Sequence, residues 1–482
     1  MDNLNICSQI SSGDSKDHQL CLTIILRRSG TEILVMWDNQ RALLPLVSVV
    51  RQRCIAEQVN QAVHDYLGVS AYSLFTLKIP ESARAESGLV QVMECLAPED
   101  YTPLRGAWVS ARSLNSESFR SREEATIVTS ALERINTARN DDMQAPFGIL
   151  GWIKELLHWA QEQVLPLGLR LTGQFRQLDS RPDFALLRME TDADGLWFKA
   201  VGNLNRREYP ITLLFSRLFP RFLPPLVAAH PEWHGWLTRE FVASALNISA
   251  EPSLWKHAAR NLAELQTESL EHIEECLAAG CRDLRCQSLL EQVVPFLEVM
   301  VELMREQRTV PPTPLHKSDV FRLAAPIKEA ICVLSELEIP DALGHLDLNP
   351  GNVLSSGERC IFLDWADAYV GPPFLTFEYL RLCARQACNN PAMDSELVEA
   401  YSERWSVHVA PEKILNAFQV SPLVAVFAYA SGTGLWRNLA QIHECGVAGY
   451  LRSLTRRIEK EARVLAEGRR LPASFQSTEW RI

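Results

Sequence analysis

The chain has 482 residues, of which 47% are hydrophobic and 22% are charged, and its formal net charge at pH 7 is −11. This length predicts two to four folding units, and the composition is typical of a soluble globular protein. The acidic balance argues against a general nucleic-acid-binding protein, because the phosphate backbone requires a basic surface. We therefore expect no nucleic-acid partner.

The N-terminus, the apolar stretches and the cysteines favour a cytoplasmic protein. Residues 1–20 lack a basic region followed by an apolar run, so we expect a loosely ordered segment and no secretory signal. Residues 414–436 are long enough to cross a membrane, but their polar residues, proline and glycines favour a buried helix, and no membrane partner is expected. The twelve cysteines lack the paired spacings of zinc sites and are interpreted as reduced thiols.

The first predicted domain, residues 21–140, mixes strands with helices. Two β-rich runs flank Ser29-Gly30 and predict a hairpin. A helix is predicted over residues 51–67, because apolar side chains recur every four residues and Gly68 follows. The remaining predicted elements are strands over residues 72–79 and 88–96, a helix over 121–136, and a polar break from 140.

A second, β-rich section covers residues 148–246, and a mostly helical section covers residues 247–482. The second section begins with an amphipathic helix over residues 149–163. A turn at residues 191–195 joins two strand-like runs and predicts a hairpin. The other predicted elements of this section are a helix over residues 206–218 and strands over 223–228 and 236–242.

The main chemical signal is the stretch Gly344-His345-Leu346-Asp347-Leu348-Asn349-Pro350-Gly351-Asn352. Asn349-Pro350-Gly351 cannot continue a helix, so Asp347 is expected on a loop just before a turn. Two apolar runs around Ser355-Ser356-Gly357-Glu358 then predict a hairpin that brings Asn352 beside Asp364. An amide oxygen and a carboxylate at one point suit Mg²⁺, which prefers hard oxygen ligands and keeps several waters.

A cation for phosphate groups is predicted at Lys199, in the apolar run Leu196-Trp197-Phe198-Lys199-Ala200-Val201. A lysine among apolar neighbours is costly unless an acid is paired with it. Glu208, near the start of the next helix, is the expected partner, with Glu190 and Glu240 as alternatives. A metal site, a phosphate-binding lysine and a carboxylate that takes a hydroxyl proton are the groups that phosphoryl transfer requires.

The spacing His345-x-Asp347-x-x-x-x-Asn352, followed by an apolar strand and Asp364-Trp365, resembles the motif of the aminoglycoside phosphotransferase and choline kinase group, a branch of the protein-kinase-like fold. The commonest form in that group is His-Gly-Asp-Leu-His-x-Gly-Asn, and five of its positions match here. Gly371-Pro372-Pro373 is similar to that group as well, whereas Leu346 and Asn349 depart from the motif. The resemblance covers residues from about 150 to the C-terminus.

This resemblance implies an α+β, bilobal protein-kinase-like fold, with a small β-rich N-lobe at residues 148–246 and a large helical C-lobe at residues 247–482. It implies Asp347 as the catalytic base, and Asn352 and Asp364 as Mg²⁺ ligands. It also implies Lys199 on the nucleotide phosphates, with Glu208 positioning it.

The resemblance further assigns the nucleotide-binding residues. The backbone of residues 236–241, which include Glu240 and Phe241, is expected to bind the adenine of ATP, with GTP as an alternative. Ser180 belongs to the segment 178–183, which is expected near the phosphates although it lacks the glycines of protein kinases.

The order of strands and helix in residues 21–140 resembles the Nudix fold, so a separate α/β/α domain is expected before the kinase-like part. The acidic run of that family falls on residues 61–68, where only Asp65 retains an acid. One carboxylate cannot rebuild a multi-carboxylate metal site, so a non-hydrolytic module for binding, regulation or homodimer formation is expected. An unrelated α+β domain is the alternative.

The leading hypothesis is an ATP-dependent phosphotransferase that acts on a hydroxyl of a small molecule, such as an antibiotic or a metabolite. The helical section also carries acidic side chains, which would suit an amine-bearing acceptor, although a solvated helix face explains them equally: Glu271, Glu274, Glu275 and Asp283.

Two alternatives remain open at this stage. A pseudokinase that serves as a nucleotide-binding or scaffold protein is favoured by the glycine-poor segment 178–183 and opposed by the intact Asp347, Asn352 and Asp364. A protein kinase is disfavoured, because the few residues between Asp364 and Gly371 leave no room for an activation segment.

Overall fold

The computed structural model of the protein describes residues 18–50, 54–77, 89–115, 117–138, 146–246, 251–308, 310–388, 390 and 392–468. The polar break expected from residue 140, and the N-terminal segment before residue 18, lie outside these residues. The chain forms two compact units. The first contains the described residues up to Tyr209 and Pro225–Phe241, and the second contains Pro210–Pro224 and the described residues from Val242 onward.

The first unit begins with a seven-stranded mixed sheet. We call the described residues 18–138 the N-terminal module. Its strands are β1 (His18–Arg27), β2 (Glu32–Asp38), β3 (Arg41–Leu43), β4 (Leu46–Val50), β5 (Ala71–Leu77), β6 (Leu89–Cys95) and β7 (Ala107–Ser110). β1 is central: it runs parallel to β6 on one side and antiparallel to β2 and β4 on the other. The predicted hairpin at Gly30 is the turn between β1 and β2.

Helices cover both faces of this sheet, because neighbouring side chains of its inner strands are apolar on both faces. α1 (Ile55–Leu67) packs against one face and ends as predicted at Gly68, which has a φ of 73°. α2 (Arg122–Ala138) contributes to the apolar cluster on the other face. The α/β/α layering expected of the module is present, whereas its resemblance to the Nudix fold stays a prediction.

The remainder of the first unit is a five-stranded antiparallel sheet in the order β11-β12-β10-β9-β8. Its strands are β8 (Leu171–Arg181), β9 (Phe184–Thr191), β10 (Gly195–Ala200), β11 (Leu226–His230) and β12 (Gly235–Arg239). α3 (Trp152–Val164) precedes the sheet, and α4 (Glu208–Leu218) follows β10 in sequence. The predicted hairpin is formed by β9 and β10. The sequence analysis did not predict β8, whose residues 172–174 are polar or glycine and exposed.

The module and the five-stranded sheet share one apolar core. A single cluster contains Phe75 and Val92 of the module, Trp152 of α3, and Leu187 and Phe198 of the five-stranded sheet, all of them 0–1% exposed. The expectation of a separate N-terminal domain therefore needs correction: the polar residues near 140 predict a domain boundary, but the apolar faces on either side of it are buried against each other.

The second unit is mostly helical, as predicted. Its helices are α5 (Pro252–Glu268), α6 (Ile273–Ala278), α7 (Cys286–Arg305), α8 (Lys317–Arg322), α9 (Ala324–Glu336), α10 (Phe374–Ala387), α11 (Met393–Trp405), α12 (Pro411–Gly432) and α13 (Cys445–Ala466). Two three-stranded sheets accompany them. One comprises β13 (Ser244–Ala245), β16 (Val353–Ser356) and β17 (Arg359–Phe362); the other comprises β14 (Arg282–Asp283), β15 (Ala342–His345) and β18 (Ala368–Gly371).

Within the described part of the chain, α12 is the one helix with the length and composition of a membrane span. It packs against α9, α10 and α13. Its side chains Ile414, Phe418, Val424 and Phe427 are at most 5% exposed and belong to the main core of the second unit. The packing is that of the buried helix expected from the sequence.

Candidate active site

Asp347 lies on a short loop between β15 and the hairpin of β16 and β17. Asn349 caps the single 3-10 turn Pro350–Asn352, because its side-chain oxygen accepts a hydrogen bond from the Gly351 N–H at 2.9 Å. The turn predicted after Asp347 is therefore present. It brings Asn352 back to Asp347, so that the Asn352 Nδ2 donates to the main-chain oxygen of Asp347 at 3.0 Å.

The hairpin that follows places Asp364 beside this loop. β16 and β17 pair around a turn at Gly357, in the register that the sequence predicts. At the open end, the Leu363 N–H donates to the main-chain oxygen of Asn352 at 2.9 Å, so Asn352 and Asp364 are diagonal neighbours. Asp364 has a left-handed backbone conformation with a φ of 64° and a ψ of 60°. This conformation is uncommon for a non-glycine residue and is concentrated at functional sites.

His345 holds the two segments together from inside the core. Its Nδ1 accepts a hydrogen bond from the Asp347 N–H at 3.1 Å, so its Nε2–H is the donor to the Leu363 carbonyl oxygen at 3.0 Å. Burial lowers the pKa of this histidine, which is only 1% exposed. A neutral imidazole with a fixed tautomer is a positioning group, so the structure supports a structural role for His345.

The carboxyl group of Asp347 has a strongly raised pKa, of about 7. Burial is the largest cause, and the negative charges of Asp364 and Asp367 raise it further, while a hydrogen bond from Asn349 lowers it. Asp367 is itself paired with Arg282, whose Nη2 lies 2.6 Å from its Oδ1. A buried carboxylate next to like charges becomes a better proton acceptor and favours a nearby cation.

The chemistry of these groups fits a magnesium ion. Asp364 offers a carboxylate and Asn352 an amide oxygen, and both are hard ligands. The described residues contain no group of three or more His, Cys, Asp or Glu arranged around one point, as a fully protein-coordinated metal would need. Two protein ligands agree with Mg²⁺, which retains waters and substrate phosphates in its coordination shell.

The first unit provides the predicted lysine–glutamate pair. Lys199 Nζ lies 2.6 Å from Glu208 Oε1, and the Glu208 side chain is 1% exposed while that of Lys199 is 19% exposed. The ammonium group also lies 5.7 Å from the centroid of the Trp236 ring, on the adjacent strand. Burial of the acid makes this pair a fixed feature of the sheet rather than a loose surface contact.

The two alternative partners of Lys199 are engaged elsewhere. Glu240 accepts two hydrogen bonds from Arg188, at 2.6 and 2.7 Å, and one from the indole N–H of Trp197 at 3.2 Å. These hydrogen bonds from Arg188 are the main reason why the pKa of Glu240 is lowered. Glu190 is also ion-paired with Arg188. Glu208 is therefore the partner of Lys199.

The segment expected to bind adenine, residues 236–241, comprises most of β12 and the two residues after it. Residues 240–243 have no regular secondary structure. The Glu240 N–H donates to the Gly195 carbonyl oxygen at 2.8 Å. Since the Glu240 side chain is held by the sheet, base recognition at Glu240 and Phe241 would fall to their remaining backbone groups.

Ser180 does not lie on the face of the sheet that carries Lys199, and its role at the nucleotide stays a prediction. It pairs with Ala185, which pairs with Ala200, so these three side chains share one face. Ala200 is adjacent to Lys199 along β10 and therefore points the opposite way. Ser180 is 6% exposed, and its hydroxyl donates to the carbonyl oxygen of Leu74 in the N-terminal module at 3.4 Å. The strand register that decides this face cannot be read from a six-residue segment.

Trp197 is a candidate site residue that the sequence analysis did not select. It lies two residues before Lys199 on β10 and so shares its face of the sheet, where it pairs with Arg188 and Thr238. Its large aromatic face suits stacking against a planar base. The two-residue offset from Lys199 is a signal that could have identified it.

A cluster of tyrosines from three helices lies near Asp347. Tyr379 stacks on Tyr429, with 6.1 Å between ring centroids and 12° between ring planes, and the Tyr450 O–H donates to the Tyr429 hydroxyl at 2.7 Å. Burial raises the pKa of each phenol, and the charge of Asp347 adds to this in all three. The charge of Arg457 lies close to the same rings. No local sequence motif predicts this cluster, because its three tyrosines come from α10, α12 and α13.

The acidic side chains expected to favour an amine are largely ion-paired. Glu275 contacts His272 at 2.8 Å and Arg217 at 3.0 Å. Arg285 lies 2.7 Å from Asp283 and 3.7 Å from Glu274. The two arginines offset about half of the negative charge of the four acidic side chains, so the acidic surface is weaker than its composition predicts.

No family model matches the chain, and no curated protein matches it. Its structure is similar to that of a macrolide 2′-phosphotransferase from Brachybacterium faecium (15% identity, 62% of this chain, 98% of that chain, TM-score 0.41). It is also similar to a choline/ethanolamine kinase family protein from Mesorhizobium loti (17% identity, 61% and 93% coverage, TM-score 0.39) and to a choline kinase from Streptococcus pneumoniae (14% identity, 65% and 99% coverage, TM-score 0.42).

Proposed function

We propose that this protein is a phosphotransferase that moves the γ-phosphoryl group of a nucleoside triphosphate to a hydroxyl group of a small molecule. The observation that carries the proposal is the convergence of Asp347, Asn352 and Asp364 at the open end of the β16–β17 hairpin, where the Asn352 Nδ2 donates to the Asp347 carbonyl oxygen and the Leu363 N–H, next to Asp364, donates to the Asn352 carbonyl oxygen. Burial also raises the pKa of the Asp347 carboxyl group, to about 7. A general base with a pKa near the working pH is most effective at taking a proton from a hydroxyl.

In the proposed reaction, Asp347 orients the acceptor hydroxyl and receives its proton. The acceptor oxygen then forms a bond to the γ-phosphorus, the bond from that phosphorus to the bridging oxygen breaks, and the nucleoside diphosphate leaves. His345 holds the main chain of the loop in place through its hydrogen bonds to the Asp347 N–H and the Leu363 carbonyl oxygen.

Asn352 and Asp364 would hold Mg²⁺. The ion would supply neutralisation of the charge on the phosphate oxygens. The left-handed backbone conformation of Asp364, just after the end of β17, sets the direction in which its side chain leaves the main chain. The hydrogen bond from Asn352 Nδ2 to the Asp347 loop fixes the orientation of the amide, whose oxygen is the ligand.

Lys199 would bind the nucleotide phosphates, with Glu208 fixing the position of its ammonium group. Trp197 lies on the same face of the sheet and would stack against the base, which the backbone of Glu240 and Phe241 would hydrogen-bond. ATP is the expected nucleotide and GTP the alternative, because stacking and backbone bonds by themselves favour no particular purine.

The tyrosines near Asp347 would form the wall of the acceptor site. Their ring faces and hydroxyl groups, with the guanidinium of Arg457 nearby, suit an acceptor that carries a ring and hydrogen-bond acceptors or an anionic group. The amine-bearing acceptor considered from the sequence stays a prediction, and its electrostatic basis is reduced because Glu274, Glu275 and Asp283 are ion-paired.

A nucleotide-binding pseudokinase is the second candidate, and one observation favours it. The turn between β8 and β9 consists of Pro182, which has no N–H group, and Asp183, and it has no glycine that would let a phosphate approach its backbone closely. Binding without turnover would give this function.

The proposal is tested by thermal denaturation with Mg²⁺–ATP or Mg²⁺–GTP, and by phosphate transfer to a panel of small alcohols. Ligand at a hundred times its dissociation constant should add about 2.7 kcal/mol to the free energy of unfolding. Asp364→Asn should remove the magnesium-dependent part of this shift, and Glu208→Gln should reduce it. Glu190→Gln is the matched control, because Glu190 is paired with Arg188.

Asp347→Asn distinguishes the two candidates. It should still bind nucleotide and lose transfer by at least a hundredfold, because it removes only the base. Nucleotide binding without transfer to any alcohol in the wild type would favour the pseudokinase. A folded wild type that is stabilised by neither nucleotide would overturn the proposal.

A further inference from the structure

The strands β8 and β9 and the turn between them form a hairpin, and β8 contacts α1 and β5 of the N-terminal module from Phe175 to Ser180. In the middle of β8, the buried side chain of Gln177 hydrogen-bonds the backbone of Ser73 in β5 twice: its Oε1 accepts from the Ser73 N–H at 2.9 Å, and its Nε2 donates to the Ser73 carbonyl oxygen at 2.8 Å. Asn60 of α1 completes the set by donating to Gln177 Oε1 at 2.9 Å and accepting from the Ser73 hydroxyl at 2.9 Å. Gln177 is 1% exposed.

Both strands are irregular at this contact. The register of β5 against β6 shifts between Ser73 and Phe75, and that of β8 against β9 shifts between Gln177 and Asp179. A bulge releases backbone groups from the ladder and redirects the strand. At the first irregularity the Ser73 backbone bonds Gln177, and the carbonyl oxygen of the bulged Leu74 accepts from the Ser180 hydroxyl. The bulges therefore supply the atoms that join the two sheets.

The turn of the hairpin is held as well. The carbonyl oxygen of Pro182 accepts from the Phe147 N–H at 2.9 Å. A Cβ on Gly148 would lie 3.3 Å from the Pro182 Cβ and 3.6 Å from Phe75 of the module. On the other side of the turn, Asp183 packs closely on Gly202. A Cβ added to Gly202 would lie 1.9 Å from the carboxylate oxygen of Asp183. Three segments of the first unit thus meet at a two-residue turn.

The outer end of β8 carries two further contacts with the module. Phe175 stacks on Tyr72, with ring centroids 4.5 Å apart and 27° between planes. Arg176 Nε donates to Glu57 Oε1 of α1 at 2.8 Å. Contacts therefore recur from residue 175 to the turn, and both α1 and β5 of the module take part.

We propose that the N-terminal module is a brace that fixes the β8–β9 hairpin, with Asn60, Ser73 and Gln177 as positioning residues that set nucleotide affinity without touching the nucleotide. The link to affinity rests on the proposed function and on the expectation from the sequence that the segment 178–183, at the end of this hairpin, lies near the phosphates. A glycine-rich loop would be ordered by the phosphates themselves, whereas this glycine-free turn follows directly on a strand that the module holds in place in advance. Nucleotide binding then has less conformational entropy to overcome. A protein or small molecule that displaces α1 or β5 would weaken nucleotide binding from a distance.

The test compares Gln177→Leu with Gln91→Leu in the full-length protein. Both variants remove a buried glutamine, but Gln91 accepts a hydrogen bond from Thr76 within the module, at 2.8 Å. We expect amide hydrogen exchange in residues 179–186 to become at least tenfold faster in Gln177→Leu and to stay unchanged in Gln91→Leu. Asn60→Ala is a milder second variant that should give a smaller change of the same sign. For a wild type that binds Mg²⁺–ATP, Gln177→Leu should raise the dissociation constant about tenfold.

The outcomes separate this inference from the proposed function. Unchanged exchange in residues 179–186 in both Gln177→Leu and Asn60→Ala would overturn the brace, whether or not nucleotide binds. Faster exchange with an unchanged dissociation constant would overturn the coupling to affinity. A wild type that binds no nucleotide contradicts the proposed function, and the exchange data still decide the brace.

Discussion

Asp347 shows how one side chain acquires its chemistry from its surroundings. Burial and the charges of Asp364 and Asp367 together raise its pKa to about 7, and one hydrogen bond from Asn349 opposes them. A pKa above the unfolded value means that the folded state holds this proton more tightly. The folded protein is therefore penalised as the pH rises from about 4 to about 7, when the unfolded carboxyl ionises more readily than the folded one.

Asp347→Asn should accordingly stabilise the metal-free protein while it abolishes transfer. The gain in the free energy of unfolding should grow between pH 5 and pH 8 and reach about 2–4 kcal/mol, since one pKa unit is worth about 1.4 kcal/mol. Urea denaturation at both pH values in the presence of a chelator measures this difference. A variant less stable than the wild type at pH 8 would contradict the assignment.

Asp394 is the matched control, because the pKa of its carboxyl is shifted in the opposite direction. Burial raises that pKa, but Arg381 and Arg385 outweigh burial and leave it lowered. A depressed folded pKa gives stability above the unfolded pKa that is lost as the pH falls. Asp394→Asn should therefore destabilise the protein at pH 8, by about 3–5 kcal/mol if the arginines are left unpaired.

At the scale of single elements, β15 is positioned by a glycine that permits close packing. A Cβ on Gly344 would lie 2.0 Å from the ring of Tyr369, the residue that pairs with Gly344 in β18. Tyr369 is fully buried, and its hydroxyl contacts that of Thr376 at 3.0 Å, so the ring has little room to move. The glycine before the His345–Asp347 loop is therefore required for packing, not for backbone flexibility.

Gly344→Ala should destabilise the second unit by about 2–4 kcal/mol, as expected when extra volume is forced into a packed core. Gly446→Ala in α13 is the control, because nothing lies within 4 Å of the Cβ it would add. That change should be neutral or stabilise by up to about 1 kcal/mol. Chemical denaturation of both variants measures the difference between their free energies of unfolding. Equal free energies of unfolding would show that the Tyr369 ring moves to make room for the added methyl group.

The hairpin of β16 and β17 is the other element that decides the site. Its ladder keeps Asn352 opposite Leu363, so Asp364 always emerges next to Asn352. The two proposed metal ligands are therefore placed by strand pairing over ten residues rather than by long-range packing. This short separation is the reason why the sequence could predict their proximity.

At the scale of the molecule, the shared core makes the N-terminal module and the five-stranded sheet one cooperative body. Phe75, Val92, Leu187 and Phe198 belong to the same buried cluster, although more than a hundred residues separate the first from the last. Removing the module would expose one side of this cluster to water. Each large apolar side chain so exposed costs about 1.5–3 kcal/mol.

We expect β6 and β9 to unfold together. In native-state hydrogen exchange, the amides of Val92 and Leu187 should reach the same free energy of opening and the same denaturant dependence. The control is an amide of α11 in the second unit, such as that of Tyr401, whose free energy of opening need not equal that of Val92 and Leu187. Opening of β6 at clearly lower free energy than β9 would show that the module is an independent domain.

The sequence alone determined the features that depend on neighbouring residues. Asn349-Pro350-Gly351 forced the turn after Asp347, Gly357 allowed the hairpin, and the apolar run around Lys199 required a nearby acid. Turn formation, strand pairing across short loops and the cost of an unpaired charge act locally, so the residues that take part can be read directly from the chain.

Tertiary structure decided what depends on distant segments. The register of β8, with its bulge, places Ser180 on the face of the sheet opposite Lys199. Glu190 and Glu240 form ion pairs with Arg188, whereas Glu208 forms the ion pair with Lys199. Three helices assembled the tyrosines near Asp347, and burial set the pKa of that base. Packing joined the module to the five-stranded sheet across the polar residues near 140. The physical reason is the same in each case: burial and charge depend on everything within a few ångströms in space, and those neighbours are far apart along the chain.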